Sequence, residues 1–169
     1  MKKDFKIAGR YTVNHWKKLR DKLPIDEDSD NKCWNKAYKI FKRRVESRFL
    51  NPINAILKMH PEKGRGEGFS VVALQCILIE FFEAFYQGRK YACKETKDLE
   101  TNEYNKSRDL FISFLETHPP FSNFFTSSNN WANYYFEDVR CGLLHEAATK
   151  DRVIIRTLKD QEENNTKSE

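Results

Sequence analysis

An arginine and a histidine stand five positions apart near the end of the chain, at Arg140 and His145. A guanidinium holds a phosphate group through several N–H donors, and an imidazole can take up or release a proton near neutral pH. Two such side chains could together act on a phosphodiester bond. Apolar residues surround them, and this pattern is typical of a helix.

The spacing alone carries little weight, because a chain with 11 Arg and 4 His is expected to contain about one such pairing by chance. A second match runs from Arg10 to His15. It lies near the N-terminal end of the chain, includes β-branched residues and has no long apolar frame, so we interpret it as coincidence. Arg140 and His145 instead lie on a predicted core helix, about 140° apart in projection.

Purely structural roles for these residues stay open. Arg140 would pair with a carboxylate such as Glu137, and His145 would stabilise the C-terminal end of its helix. A nucleophilic pair of Cys141 and His145 lacks an orienting third group, and Cys141 fits a small core residue. The four cysteines are widely spaced and show no zinc-site spacing. We therefore expect no metal and no other cofactor.

Composition predicts a globular protein with one domain. The 169 residues are 39% hydrophobic and 14% aromatic, which is enough to build a core, while a mean hydropathy of -0.79 and 33% charged residues favour solubility. We place the domain at 1–157, followed by a polar, disordered tail at 158–169. No apolar leader segment begins the chain, and free cysteines suit a reducing cytoplasm.

Positive charge is concentrated in residues 31–65, which hold ten Lys or Arg against two acidic residues. Such asymmetry predicts a polyanionic partner, although a solvated helix face accounts for it equally well. The candidate RNA-binding residues are Lys36, Lys39, Arg43 and Arg44.

Helical periodicity begins with this basic segment. Asn51-Pro52 interrupts it, so a kink or a fresh short helix is expected there. The apolar residues recur every three to four positions and predict one buried stripe, with lysines on the other side. The stripe consists of Trp34, Tyr38, Phe41, Val45, Phe49, Ile53 and Ile56.

The most apolar segment is 69–87, which as a helix would cross a small domain. Glu80 and Glu83 would make a membrane span costly, so we predict a central bundle helix and no membrane partner. Together with Gln87 these carboxylates form a narrow polar stripe that faces either water or a functional cleft.

Two further helices are predicted, one around residues 110–115 and one from Trp131 to about Lys150. Residues 153–155 favour a short C-terminal strand or a docked extension. Four to five helices with almost no strand predict an all-α helical bundle with its core at about 34–150.

The apolar helix 71–86, the Phe-rich middle and the segment 138–147 together resemble the HEPN superfamily, the higher eukaryotes and prokaryotes nucleotide-binding domains. The resemblance implies a small helical bundle that commonly forms a homodimer. It also implies a metal-independent endoribonuclease of toxin–antitoxin or antiphage systems, whose active site holds an arginine and a histidine four to six residues apart.

Carried over to this chain, the resemblance makes Arg140 the residue that binds the scissile phosphate and His145 the residue that exchanges protons. The ribose 2′-hydroxyl would be the nucleophile. Many active members have a polar residue after the arginine, where this chain has Cys141. A catalytically inactive HEPN domain that binds RNA or a protein is therefore the alternative, and a purely structural helical adaptor is a third. An antitoxin or defence-system protein is a further expected partner.

Gly142 stands inside the last predicted helix, where a glycine costs about 1 kcal/mol relative to alanine. Its presence predicts that another backbone approaches closely, such as the last helix of a partner protomer. Packing against a bulky aromatic side chain is the alternative.

Overall fold

The computed structural model describes residues 4–24, 31–59, 66–150 and 153–155. The chain divides into two compact units, unit 1 (Met1–Met59) and unit 2 (His60–Glu169). The described part is mostly helical with a few short strands, which confirms the all-α class. The expectation of one domain at 1–157 stays a prediction, and the tail at 158–169 lies outside the described residues.

Unit 1 begins with an antiparallel hairpin of β1 (Lys6–Ala8) and β2 (Tyr11–Thr12). Its two-residue turn contains Gly9 at φ +53°, a conformation that glycine adopts without strain. Three α-helices follow: α1 (Val13–Arg20), α2 (Lys32–Val45) and α3 (Asn51–Lys58).

A π-helical turn, Glu46–Leu50, joins α2 to α3 without a gap. Pro52 has no N–H, and in a regular α-helix its ring would clash with the carbonyl of Arg48. Widening the helix just before the proline relieves this crowding, and the amide of Asn51 bonds to the carbonyl of Glu46. The chain therefore stays helical through the position where the sequence predicts an interruption.

The buried face of α2 differs from the predicted stripe. Ala37, Ile40 and Val45 are buried, whereas Trp34 and Tyr38 are 50% and 61% exposed. The stripe prediction was wrong for this first half: α2 packs against β1 and α1, and it is the small Ala37 together with Ile40 that is buried there. The indole N–H of Trp34 instead donates to the carbonyl of Pro24.

Unit 2 is built on α4 (Glu67–Tyr86) and α5 (Ser107–Thr117), with a short parallel pair of β3 (Lys90–Tyr91) and β4 (Glu103–Tyr104) between them in sequence. The last helix is continuous from α6 (Trp131–Tyr134) through a π-helical turn (Tyr135–Cys141) to α7 (Gly142–Glu146). These helices pack around one cluster of buried residues: Cys76, Ile79, Phe111, Leu115, Ala132, Phe136 and Val139.

Glu83, in the polar stripe of α4, is buried and only 2% exposed. At this position the stripe therefore faces neither water nor an open cleft. Its carboxylate accepts hydrogen bonds from the Ser113 hydroxyl at 2.6 Å and the Gln87 amide at 2.7 Å, and lies 2.7 Å from Nε2 of His118. This network attaches α4 to α5 by a buried charge. By length and composition alone α4 could also cross a membrane, a test that core helices of soluble proteins pass as well.

The chain after α7 folds back over the helix. The last helix ends at Glu146, short of the predicted Lys150, because Ala147 takes a left-handed conformation with φ +54°. A Cβ added to Gly142 would lie 2.5 Å from the carbonyl oxygen of Ala148, so only glycine fits there. Residues 153–155 form no strand, which corrects that expectation, and Val153 packs against the core as a docked extension.

Candidate functional site

Arg140 lies in the π-helical turn of the last helix, with a side chain that is 18% exposed. Its Nη2 donates to the Ser107 hydroxyl at 3.0 Å and lies 3.5 Å from a carboxylate oxygen of Glu80. The guanidinium carbon stands 5.2 Å from the centroid of the Phe136 ring. Arg140 thus has a carboxylate partner, but the partner is Glu80 and not the expected Glu137, which binds Arg108.

A cavity of about 400 Å³ opens beside Arg140 in unit 2. Three cationic side chains and one carboxylate line it, so its charge is positive. It has an apolar wall as well, and the exposed ring of Tyr91 provides aromatic surface on which a base could stack. The lining residues are Cys76, Ile77, Glu80, Phe81, Ala84, Phe85, Arg89, Lys90, Tyr91, Tyr104, Arg140 and Leu144.

Tyr104 fixes the polar side of this cavity. Its hydroxyl donates to Glu80 at 3.2 Å, and the guanidinium of Arg89 lies 5.8 Å from its ring centroid. Burial and the nearby Glu80 charge raise the pKa of Tyr104 to about 12. Tyr104 therefore stays protonated near neutral pH and orients Glu80, which in turn holds Arg140.

His145 lies in the last turn of α7, exposed, and it does not line the cavity beside Arg140, whereas its neighbour Leu144 does. Within one chain, the structure does not bring the two predicted catalytic side chains into the same cavity. The position of His145 near a helix C-terminus fits a role in stabilising the helix dipole.

Cys76, in the wall of the same cavity, is a buried thiol, and burial raises its pKa to about 12. It is therefore a poor nucleophile. Cys141 packs partly buried against the core, as predicted. Among the described residues, no group of three or more His, Cys, Asp or Glu could hold a metal ion.

The predicted RNA-binding residues fall into two groups in unit 1. Lys36, Lys39 and Arg43 are exposed and line two adjoining cavities. Arg44 is half-buried and donates to the carbonyl of Ile7 at 3.4 Å, so it holds the hairpin against α2. Burial and the nearby Arg48 lower its pKa.

Sequence reasoning missed that the N-terminal hairpin contributes residues to these cavities. Arg10, Tyr11 and His15 line the same cavity as Lys36, although the Arg10–His15 match was interpreted as coincidence. The signal was present in the sequence, since an aromatic residue lay between the two. What was absent was any indication that a tight turn would bring them against α2.

A comparison of the chain with protein-family models, with curated proteins and with solved structures found no match. Function is therefore inferred from the residues of these two sites.

Proposed function

We propose that this protein is a metal-independent endoribonuclease of the HEPN type. The observation that carries the proposal is the position of Arg140 at a positively charged cavity, beside Arg89 and Lys90, on the same helix as the exposed His145. A scissile phosphate would bind the three cations, and a neighbouring base would stack on the exposed Tyr91.

In this mechanism Arg140 binds the scissile phosphate and offsets the charge that develops on it in the transition state. His145 either accepts the proton of the attacking 2′-hydroxyl, while water protonates the leaving 5′-oxygen, or donates a proton to that oxygen, while water takes the proton of the 2′-hydroxyl. The 2′-oxygen–phosphorus bond forms as the phosphorus–5′-oxygen bond breaks. The products are a 2′,3′-cyclic phosphate and a 5′-hydroxyl, and DNA, which lacks the 2′-hydroxyl, is not cleaved.

A homodimer would supply the histidine that the cavity lacks. Ile77, Phe85 and Leu144 flank Arg140 and are 44%, 60% and 45% exposed, an apolar surface that a second copy would cover. His145 of the second copy would then stand beside Arg140 of the first. The site would be composite, with each protomer completing the other.

The second candidate is a catalytically inactive HEPN domain that binds RNA or a partner protein. Two observations favour it: Glu80 already partners Arg140, and His145 lies outside the cavity wall. Cys141, in place of a polar residue, points in the same direction. Under either proposal we place the protein in the cytoplasm, in toxin or antiphage defence, with an antitoxin or defence-system protein as a partner.

The test is cleavage of end-labelled RNA in EDTA by the full chain, compared with its Arg140→Ala and His145→Ala variants. Arg108→Ala is the matched control, because its guanidinium also lies over the Phe136 ring, at 5.5 Å, but does not line the cavity. We expect each catalytic substitution to lower the rate at least about 100-fold. The control should keep the rate within a few-fold.

Mixing the two inactive variants tests the composite site. A mixed dimer carries His145 on one protomer and Arg140 on the other, so it regains one intact site and part of the activity. Cleavage that survives in both single variants would refute the nuclease assignment to Arg140 and His145. Salt-sensitive RNA binding without cleavage would favour the binding domain.

A further inference from the structure

Two cavities of unit 1 adjoin each other, since Arg10 and Tyr11 line both. The first, about 390 Å³, has an apolar floor of Leu19 and Ile40, with His15 and Lys36 at its polar side. The second is about 500 Å³ and is lined by Lys39, Lys42, Arg43 and Glu46 in addition. Together they form a basic groove between the hairpin and α2, which we call the hairpin groove.

Among the described residues, most cations of the hairpin groove lack an acidic partner. In the part of the chain that the structure describes, no carboxylate lies within ion-pairing distance of Arg10, Lys36, Lys39 or Arg43. The single acidic residue in the wall, Glu46, is 3.8 Å from Lys42. Four like charges that no described carboxylate offsets repel one another, so a bound polyanion lowers their free energy.

His15 adds a hydrogen-bond donor. Its Nδ1 accepts a hydrogen bond from the backbone N–H of Thr12 at 3.2 Å, which leaves Nε2 as the nitrogen that carries the hydrogen. Tyr11 stands edge-on to this imidazole, with ring centroids 6.4 Å apart, and Arg10 lies 5.6 Å from the Tyr11 centroid. Groups that can donate hydrogen bonds to a phosphate thus lie beside an aromatic ring.

The hairpin turn restricts one of these cations, Arg43. A Cβ on Gly9 would lie 2.6 Å from Nε of Arg43, so the bare backbone of the turn packs directly against that guanidinium. This contact restricts the Arg43 side chain before any ligand arrives, which lowers the entropy cost of binding.

We propose that the hairpin groove is a second nucleic-acid site, which holds backbone phosphates of single-stranded RNA with a base stacked against Tyr11. Lys36, Lys39, Arg10 and Arg43 bind the phosphates, and His15 donates one hydrogen bond. The choice of RNA over DNA rests on the proposed function. The groove residues themselves would contact only phosphates and the face of a base, which both nucleic acids share. Duplex RNA, whose bases are already stacked on each other, is the weaker ligand.

The experiment measures binding of a fluorescein-labelled oligouridylate of about 12 nucleotides by anisotropy, in the full chain carrying Arg140→Ala and His145→Ala to prevent cleavage. Arg10→Gln, Lys36→Gln and Tyr11→Leu are added singly. Lys18→Gln is the control, because Lys18 is exposed on the same helix as His15 and lines neither cavity. Thermal melting of each variant checks that it is folded.

Each groove substitution should weaken binding about 3- to 10-fold, and each lost phosphate contact should reduce the salt slope of log Kd by about 0.7. The control should change neither. A single-stranded DNA oligomer should compete as well as RNA, and a duplex less well. Groove variants that bind like Lys18→Gln, or duplex RNA that competes best, would overturn the proposal.

The outcome is separate from that of the nuclease test. If the unsubstituted chain cleaves nothing while the groove variants still weaken binding, the groove stands and the nuclease fails. If the unsubstituted chain cleaves RNA while the groove variants bind and cleave like the control, the nuclease stands and the groove fails.

Discussion

The same sequence pattern, Arg-x4-His, is folded in two different ways in the two units. In unit 1, Arg10 lies in a hairpin turn and His15 in the first turns of α1, and both side chains line one cavity. In unit 2, Arg140 and His145 follow one continuous helix, and Arg140 lines the cavity described above whereas His145 does not.

The difference shows that spacing along the chain does not determine distance in space. Between Arg10 and His15 the chain passes from the turn through β2 into α1, and this change of direction can bring residues five apart to the same cavity, whereas a straight helix carries them along its axis. The pair with the weaker sequence context is therefore the one that is brought together in a single chain. Under the proposed function, the pair with the stronger context needs a second copy to become a complete site.

The largest expected effect is on the kinetics of RNA cleavage when each Arg–His pair is removed in turn and kcat and KM are measured separately. Arg140→Ala with His145→Ala should lower kcat for RNA cleavage at least about 100-fold, because both act on the reacting phosphate. Arg10→Ala with His15→Ala should raise KM by up to about tenfold and leave kcat within about twofold. A collapse of kcat in the unit 1 variant alone would reverse the assignment of the two pairs.

A smaller effect is expected on the stability of unit 2 when Glu83, whose hydrogen bonds link α4 to α5, is replaced. Glu83→Ala leaves the Ser113, Gln87 and His118 groups without their acceptor and should cost about 3 kcal/mol of unfolding free energy. Glu95→Ala, at an exposed residue paired with Lys97, is the control and should cost under about 0.5 kcal/mol. Denaturant melts would measure both, and equal losses would contradict the role of the network.

The same carboxylate predicts a pH dependence. Burial alone would raise the pKa of Glu83, but hydrogen bonds from Ser113, Gln87 and His118 outweigh it and hold the pKa below its ordinary value of 4.5. The stabilisation is therefore fully present above pH 4.5 and is lost as the pH falls through the lower pKa of the folded state. Glu83→Gln should reduce this acid-dependent loss, as amide hydrogen exchange of α4 and α5 would show.

The smallest effect concerns the helix that carries His15. Thr12 Oγ1 accepts from the His15 amide at 3.3 Å, and the His15 ring bonds back to the Thr12 amide, so the two residues cap α1 reciprocally. Thr12→Ala should cost about 1 kcal/mol, seen as faster amide exchange in α1. Ser47→Ala removes an exposed hydroxyl that caps no helix and should leave that exchange unchanged. No difference between them would mean that the cap does not order His15.

The sequence predicted the helices well, and it predicted individual side chains less well. The long apolar runs located α4 and the last helix, because helical periodicity survives small errors of register. The exposure of Trp34 and the burial of Glu83 depended instead on which neighbours pack on a face, and periodicity does not report that. The partner of Arg140 came from 60 residues earlier in the chain, where no local pattern indicates it.

The sequence singled out Arg140, which lines the cavity of unit 2, but it did not predict that cavity or the position of His145 outside its wall. The placement of Arg140 and His145 about 140° apart assumed a regular α-helix, but Arg140 lies in a π-helical turn, so that angle does not apply. The Gly142 prediction was right that another backbone approaches closely. The approaching backbone is the chain's own Ala148, and not that of a second copy.

The wider turn at Tyr135–Cys141 has a consequence for how related chains would be recognised. A π-helical turn accommodates one more residue than an α-helical turn, so a relative with a regular helix here would present the same side-chain directions with one residue fewer in this segment. An alignment would show that relative with a gap in 135–141, the segment that contains Arg140. Patterns that insist on a fixed count would therefore miss chains whose side chains point in equivalent directions.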